Sequence, residues 1–128
     1  MSKDEREALA SRVEALSGPD VYLDREIAIA VGAYRPEGWL AYTASLDASK
    51  TLVPEGWHIG RLDEEWDTRQ WHAQIVQRPN DRQALAFKQG RTIGLWDAKG
   101  ASRNAANALT AAALRGHARA IERTAHEQ

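Results

Sequence analysis

Trp57-His58-Ile59 and Trp71-His72-Ala73-Gln74-Ile75 decide how this chain folds, because their apolar side chains recur at every second position. Successive side chains of a strand point to opposite faces, so Trp57 with Ile59, and Trp71 with Ala73 and Ile75, mark two half-buried strands. Asp63-Glu64-Glu65 between them reads as a charged hairpin. Downstream, Pro79-Asn80-Asp81 supplies turn chemistry. A third strand is then expected over residues 83–88, a turn at Gln89-Gly90, and a fourth strand over residues 92–97, with Lys99-Gly100 ending the sheet. Four strands joined by tight connections form an antiparallel sheet with one face free for helices.

Helical spacing governs the chain on both sides of that region. Ser2 stands three residues before Glu5, the spacing of a capping box, and Leu9, Val13 and Leu16 follow at helical intervals, so helix is expected over residues 4–16. After Gly18-Pro19, Leu23, Ile27, Ala30, Val31 and Tyr34 share a helical face, although Ile27, Ile29 and Val31 also alternate as a strand would; helix is the reading adopted. A third helix is expected over residues 44–53, capped by Thr43 or Ser45 and closed by Pro54-Glu55-Gly56. An Ala-rich helix runs from Ser102 or Asn104 to about residue 125, interrupted by Gly116, which a helix accommodates where close approach returns something. The predicted class is α+β: N-terminal helices, a four-stranded antiparallel sheet and a long C-terminal Ala-rich helix packed on it.

With 128 residues, 43% hydrophobic and 27% charged, residues 1–128 are expected to form a single domain. A net charge of −1 spread along the chain leaves no electrostatic footprint for duplex nucleic acid. Thirteen of the 17 basic residues are Arg, a skew that suits bidentate phosphate contacts or reflects a GC-rich genome. No Cys is present, which removes disulfides, thiolate ligands and a thiol nucleophile, and no apolar run approaches the ~18 residues that span a bilayer. A cytoplasmic location is expected, with no membrane association.

Recognisable enzyme motifs are absent: there is no Gly-rich phosphate loop, no Gly-x-Ser-x-Gly and no His-Glu-x-x-His. No cofactor or metal is expected. His58 and His72 fall on adjacent strands and could meet, and an enzyme would need one of them paired with Asp67 or a neighbouring carboxylate; His117 and His126 sit towards a helix C-terminus. Five Trp residues accompany a single Phe, and stacking by Trp or Tyr beside Arg holds nucleotides without sequence readout. Trp57 with Arg61, Trp71 with Arg69, and Trp96 with Arg91 or Arg103 each place a ring near a guanidinium in sequence, while Arg103 and Asn104 open the long helix, where free N–H groups attract anions. Candidate ligand-binding residues are therefore Arg103, Asn104, Trp96, Arg91, Trp57, Trp71, Tyr42 and Arg25.

Three stretches resemble the small phage and prophage proteins described as the phage ABA-sandwich domain: Arg25-Glu26-Ile27-Ala28-Ile29-Ala30-Val31-Gly32; Tyr42-Thr43-Ala44-Ser45-Leu46-Asp47-Ala48 continuing to Val53-Pro54-Glu55-Gly56-Trp57; and Asn107-Ala108-Leu109-Thr110-Ala111-Ala112-Ala113-Leu114-Arg115. The resemblance extends over most of the chain, from about Leu16 to Arg119. The chain departs from that pattern at Ala105, where the family carries Pro after a capping Thr, and between Trp66 and Trp96. The resemblance implies helices on both faces or both sides of a sheet. Similar small phage folds include sponges that sequester nucleotide second messengers of bacterial immune systems such as Thoeris, an analogy at the level of fold. It implies a phage-type homo-oligomer in the host cytoplasm that binds a small anionic ligand, a cyclic nucleotide; the alternative is an interaction module that inhibits a host protein.

Overall fold

The computed structural model describes residues 2–127, with side-chain surroundings for residues 2–120, which leaves His126 outside the described side chains. Helix α1, Lys3–Glu14, starts where the Ser2 hydroxyl accepts the Glu5 N–H and buries Leu9, Ala10 and Val13. Helix α2, Val21–Ala30, is capped by Asp20, whose carboxylate accepts the N–H groups of Tyr22 and Leu23. Leu23, Ile27, Ala28 and Ala30 are buried, so the 3.6-residue period decides this segment against the strand alternative. Arg6 of α1 donates to the Ala30 carbonyl at 3.1 Å, placing positive charge at the C-terminus of α2, whose own last turn has none. Helix α3, Leu46–Lys50, is shorter than its sequence suggests and is capped by Ser45 rather than Thr43.

Thr43 instead bonds inward. Its N–H and hydroxyl both donate to the buried Asp24 carboxylate at 2.8 Å, which ties the loop before α3 to α2.

Among the described residues the sheet has three strands, not four: β1 (Trp57–Glu64), β2 (Trp71–Gln77) and β3 (Asp97–Ser102), antiparallel in the order β1-β2-β3. Residues 83–88 are not a strand but most of helix α4, Asp81–Lys88, which the Asn80/Gln83 capping box nucleates. Residues 92–97 are not a strand either; only Asp97 of that segment enters the ladder, and β3 continues through the Lys99-Gly100 pair expected to end the sheet. β3 holds no β-branched or aromatic residue, so the usual strand signal is missing. The first hairpin turns at Glu65–Gln70 rather than at 63–65, with Arg69 in the left-handed region at φ 59°.

Helix α5, Ala105–Glu127, begins at the Asn104 cap and packs along one face of all three strands. Its small side chains are what allow this. A Cβ on Gly100 would run into the backbone of Ala108 and Ala112, so strand and helix meet there at a separation that only Gly permits, and one on Gly116 would press on the Ile75 side chain. Ala108, Ala111, Ala112, Ala113 and Ala118 are fully buried. The Ala stripe thus closes on the chain's own core, where β2 and β3 lie on one side and α1, α2 and α3 on the other. The helices that touch the sheet are α5, on one face, and α1, at β3. Of the two arrangements that the resemblance implies, helices on both faces are not found among the described residues.

Candidate functional site

Ladder register sorts the side chains of the sheet. Trp57 with Gln77, Ile59 with Ile75, Ala73 with Gly100, and Ile75 with Ala98 face α5. The opposite face carries the rows Arg61–Gln74–Lys99 and Asp63–His72–Ala101, and next to them His58–Val76–Asp97. A bulge between Ile59 and Arg61 resets the alternation, so that Arg61 stands across from Gln74. Gln74 donates to Asp97 at 2.8 Å, Arg61 pairs with Asp63 at 2.8 Å, and His72 meets Glu65 at 3.1 Å. The Lys99 ammonium is exposed and has no partner among the described residues.

Along the outer edge of β3 runs an ion-pair clamp. Arg115 of α5 forks onto both oxygens of Glu14 at 2.7 Å, reaches Glu7 at 3.2 Å and donates to the Lys99 carbonyl at 3.0 Å. Glu14 in turn accepts the Ala101 N–H at 2.8 Å. Backbone groups that a fourth strand would have paired are thereby satisfied by side chains. Burial alone would push the Glu14 carboxyl up, but the Arg115 and Ala101 hydrogen bonds outweigh it and the pKa ends below the usual carboxylate value. Arg115 is held above its ordinary value by its hydrogen bond to Glu14, against the opposing effect of burial.

Two cavities flank this clamp. One, of about 200 Å³, is lined by Arg61, His72, Gln74, Lys99, Glu14 and Arg115. The other, of about 320 Å³, lies between Glu7, Asp97, Lys99, Arg115 and Arg119. Lys99 and Arg115 belong to both, so they form one continuous strip in which four cations, Arg61, Lys99, Arg115 and Arg119, stand against the three carboxylates of Glu7, Glu14 and Asp97. Arg119, one helical turn beyond Arg115, lies 5.8 Å from the centroid of the Trp96 ring. A locally cationic strip ending on an aromatic face can hold an anion with a planar ring attached.

Of the eight residues singled out from sequence, Trp96 alone meets this strip, through Arg119, although it lines neither cavity and is half-buried against the same sheet core as Trp71. Trp57 and Tyr42 are core side chains, which corrects their reading as stacking platforms. Burial, with Asp24 nearby, pushes the Tyr42 hydroxyl pKa up, and the Tyr42 carbonyl accepts the Thr110 hydroxyl at 3.2 Å. Trp71 is half-buried against the sheet's core, while Asn104 is the α5 cap, its side chain accepting the Asn107 N–H at 2.8 Å, with Arg103 exposed beside it. Arg91 donates to Gln89 at 2.7 Å in the loop after α4, and Arg25 lies 5.4 Å over Tyr34, which stacks on Trp39. His58 and His72 are not brought together, since they pair with Val76 and Asp63 respectively. His72 contacts Glu65, not Asp67, and among the described residues no three His, Asp or Glu side chains are placed to hold a metal ion.

Sequence reasoning missed Arg61, His72, Gln74, Lys99, Arg115 and Arg119 as a group. The alternation in β1 and β2 puts Arg61, His72 and Gln74 on the polar face, and the four-residue spacing of Arg115 and Arg119 puts both on one side of a helix; only β3, unrecognised, would have joined them. Comparison with known proteins adds no constraint: no family model, no curated protein and no solved structure matches the chain. No helix among the described residues is long and apolar enough to cross a membrane.

Proposed function

We propose that this chain is a non-enzymatic binding protein that sequesters a small anionic ligand of the cyclic-nucleotide class along the β3 strip. The observation that carries this reading is Trp96 under the Arg119 guanidinium, which lines one cavity with a Lys99 ammonium that has no partner among the described residues. In this reading Lys99 meets the phosphate, the base stacks over the Arg119 guanidinium that Trp96 supports, and Arg115, whose donors are already engaged by Glu7, Glu14 and Lys99, holds the strip in shape. The resemblance to phage proteins supports an immune-signal sponge acting in the cytoplasm of a bacterial host.

Tryptophan fluorescence during titration with cyclic di- and trinucleotides and cyclic ADP-ribose isomers tests this, followed by denaturation and recovery of the ligand. Binding by at least one member, recovered chemically intact, is expected. Lys99→Ala and Arg119→Ala should each weaken it about tenfold or more, the loss of one charged hydrogen bond or of one stacking contact, while Arg103→Ala, outside both cavities, leaves it unchanged. Silence across the panel, or indifference to Lys99→Ala, rejects the reading, and recovery of altered ligand would make the chain an enzyme.

A second reading, inhibition of a host protein, is favoured by Trp66, which stands 87% exposed at the hairpin tip beside Glu64, Glu65 and Asp67. It requires that Trp66→Ala abolish binding to a basic partner surface while leaving nucleotide titrations unaltered.

A further inference from the structure

Helix α4 is the one helix whose backbone approaches no other helix or strand among the described residues. It buries nothing completely, and it leaves Leu85 55% and Phe87, the chain's single Phe, 68% exposed. An isolated eight-residue helix is too short to persist by propensity alone, so a helix of this composition is stabilised when its apolar residues find a surface. Arg82 and Lys88 on α4, and Arg91 just beyond it, make the arm basic, with Asp81 the opposing charge.

On α1 and α2 there is an apolar groove of about 360 Å³ whose floor is Ala8, Leu9 and Ile29 and whose rim carries Glu5, Glu26 and Arg12. Tyr22, Glu26 and Ile29 recur at four- and three-residue spacing along α2, so Tyr22, 85% exposed, and Ile29, 48% exposed, continue the apolar floor along one helical face. Arg12 and Glu26 pair at 2.7 Å across this rim. The arm does not contact α1 or α2 of its own chain.

We infer that the α4 arm docks in the α1/α2 groove of a second copy of this chain. Phe87 enters the apolar floor, and the arm's basic residues face Glu5 and Glu26. Charge complementarity selects this occupant, a cationic apolar arm against an apolar groove with an acidic excess on its rim. Reciprocal exchange closes the contact into a two-fold dimer, because arm-to-groove pairing in one direction would propagate open-endedly. It also doubles the contact, which a single short helix needs to approach the ~1,200 Å² of a stable interface. The Ala stripe of α5 packs on the sheet, as its sequence leads one to expect, and takes no part.

Sedimentation velocity or light scattering on the full chain between about 1 µM and about 1 mM, the span of weak to moderate affinities, tests the inference. Wild type is expected to pass from monomer to dimer mass. Phe87→Asp and Ile29→Asp should each leave it monomeric, with the circular dichroism and thermal midpoint of the dilute wild-type monomer retained because both side chains are on the surface. Mixing the two variants should restore part of the dimer, since one intact arm then meets one intact groove. A monomer at every concentration overturns the inference, as does a dimer that either substitution leaves intact. Nucleotide titration of Phe87→Asp separates this result from the ligand reading, which uses other residues.

Discussion

Gly100 and Gly116 are the two positions at which the smallest side chain does the most to set the fold. At Gly100 a Cβ would meet the carbonyl of Ala108 and the N–H nitrogen of Ala112, both fixed in the middle of α5. Neither can move without shifting the helix. Gly100→Ala should therefore cost about 1–3 kcal/mol, the range for overpacking a filled core, read as a lower midpoint in urea. At Gly116 the Cβ would meet mainly the Cδ1 end of Ile75, a side chain that can change rotamer, and Ala gains up to about 1 kcal/mol in helix propensity over Gly. Gly116→Ala should thus destabilise less than Gly100→Ala. The reverse order would mean that the Ile75 contact, not the strand–helix approach, sets the spacing of the layers.

Among the elements, α4 provides the clearest separation of local from global stability. Asn80 accepts the Gln83 N–H at 2.8 Å and Gln83 returns a carbonyl to the Asn80 N–H at 3.0 Å. Asn80→Ala removes this box and should weaken the helix by about 1 kcal/mol. Because no core element packs on α4, the urea midpoint of the chain in dilute solution should stay where it is, while amide exchange over Asp81–Lys88 accelerates. A drop in the global midpoint would show that α4 is coupled to the core. The same helix explains what could be read from the sequence and what could not. Leu85 and Phe87 sit two apart, which mimics a strand, although the Asn80/Gln83 spacing announced a helix and was the better signal. β3 carried no signal, since Ala98 and Gly100 were chosen by the approach of α5, a tertiary demand. Helices α1, α2 and α5 were legible because their caps and buried faces are local. The candidate strip was not, because it needs β3 and the far end of α5 together: Trp96 was found as an aromatic near Arg residues, but its partner is Arg119, 23 residues on, rather than Arg91 or Arg103.

At the scale of the whole molecule, acid should lower the stability of this chain over two pH ranges that trace to two named groups. His117 donates from Nε2 to the Leu52 carbonyl 2.8 Å away, so the neutral ring carries its proton there. Burial pushes its pKa down, with the Arg6 charge helping and the Leu52 carbonyl opposing. A His whose folded pKa lies below its unfolded value of about 6.5 favours folding fully above that pH. As pH drops below it, the unfolded chain takes up a proton first and stability falls until the folded ring also titrates. Glu14 acts lower: burial raises its pKa, but the Arg115 and Ala101 hydrogen bonds bring it below the usual value. Its contribution is complete above about 4.3, the unfolded value, and is lost as pH falls through the folded one. Urea midpoints measured from pH 8 to pH 3 should accordingly show one decline starting near 6.5 and another starting near 4.3. His117→Gln should flatten the first and Glu14→Gln the second. Glu14→Gln should also cost about 1–2 kcal/mol at pH 7, a value for a charged hydrogen bond at a partly exposed site, since α1 then loses its ionic hold on both Arg115 and the β3 edge. If Glu14→Gln left the acid limb untouched, the edge clamp would not be the group that protonates, and β3 would owe its place to the Gly100 approach alone.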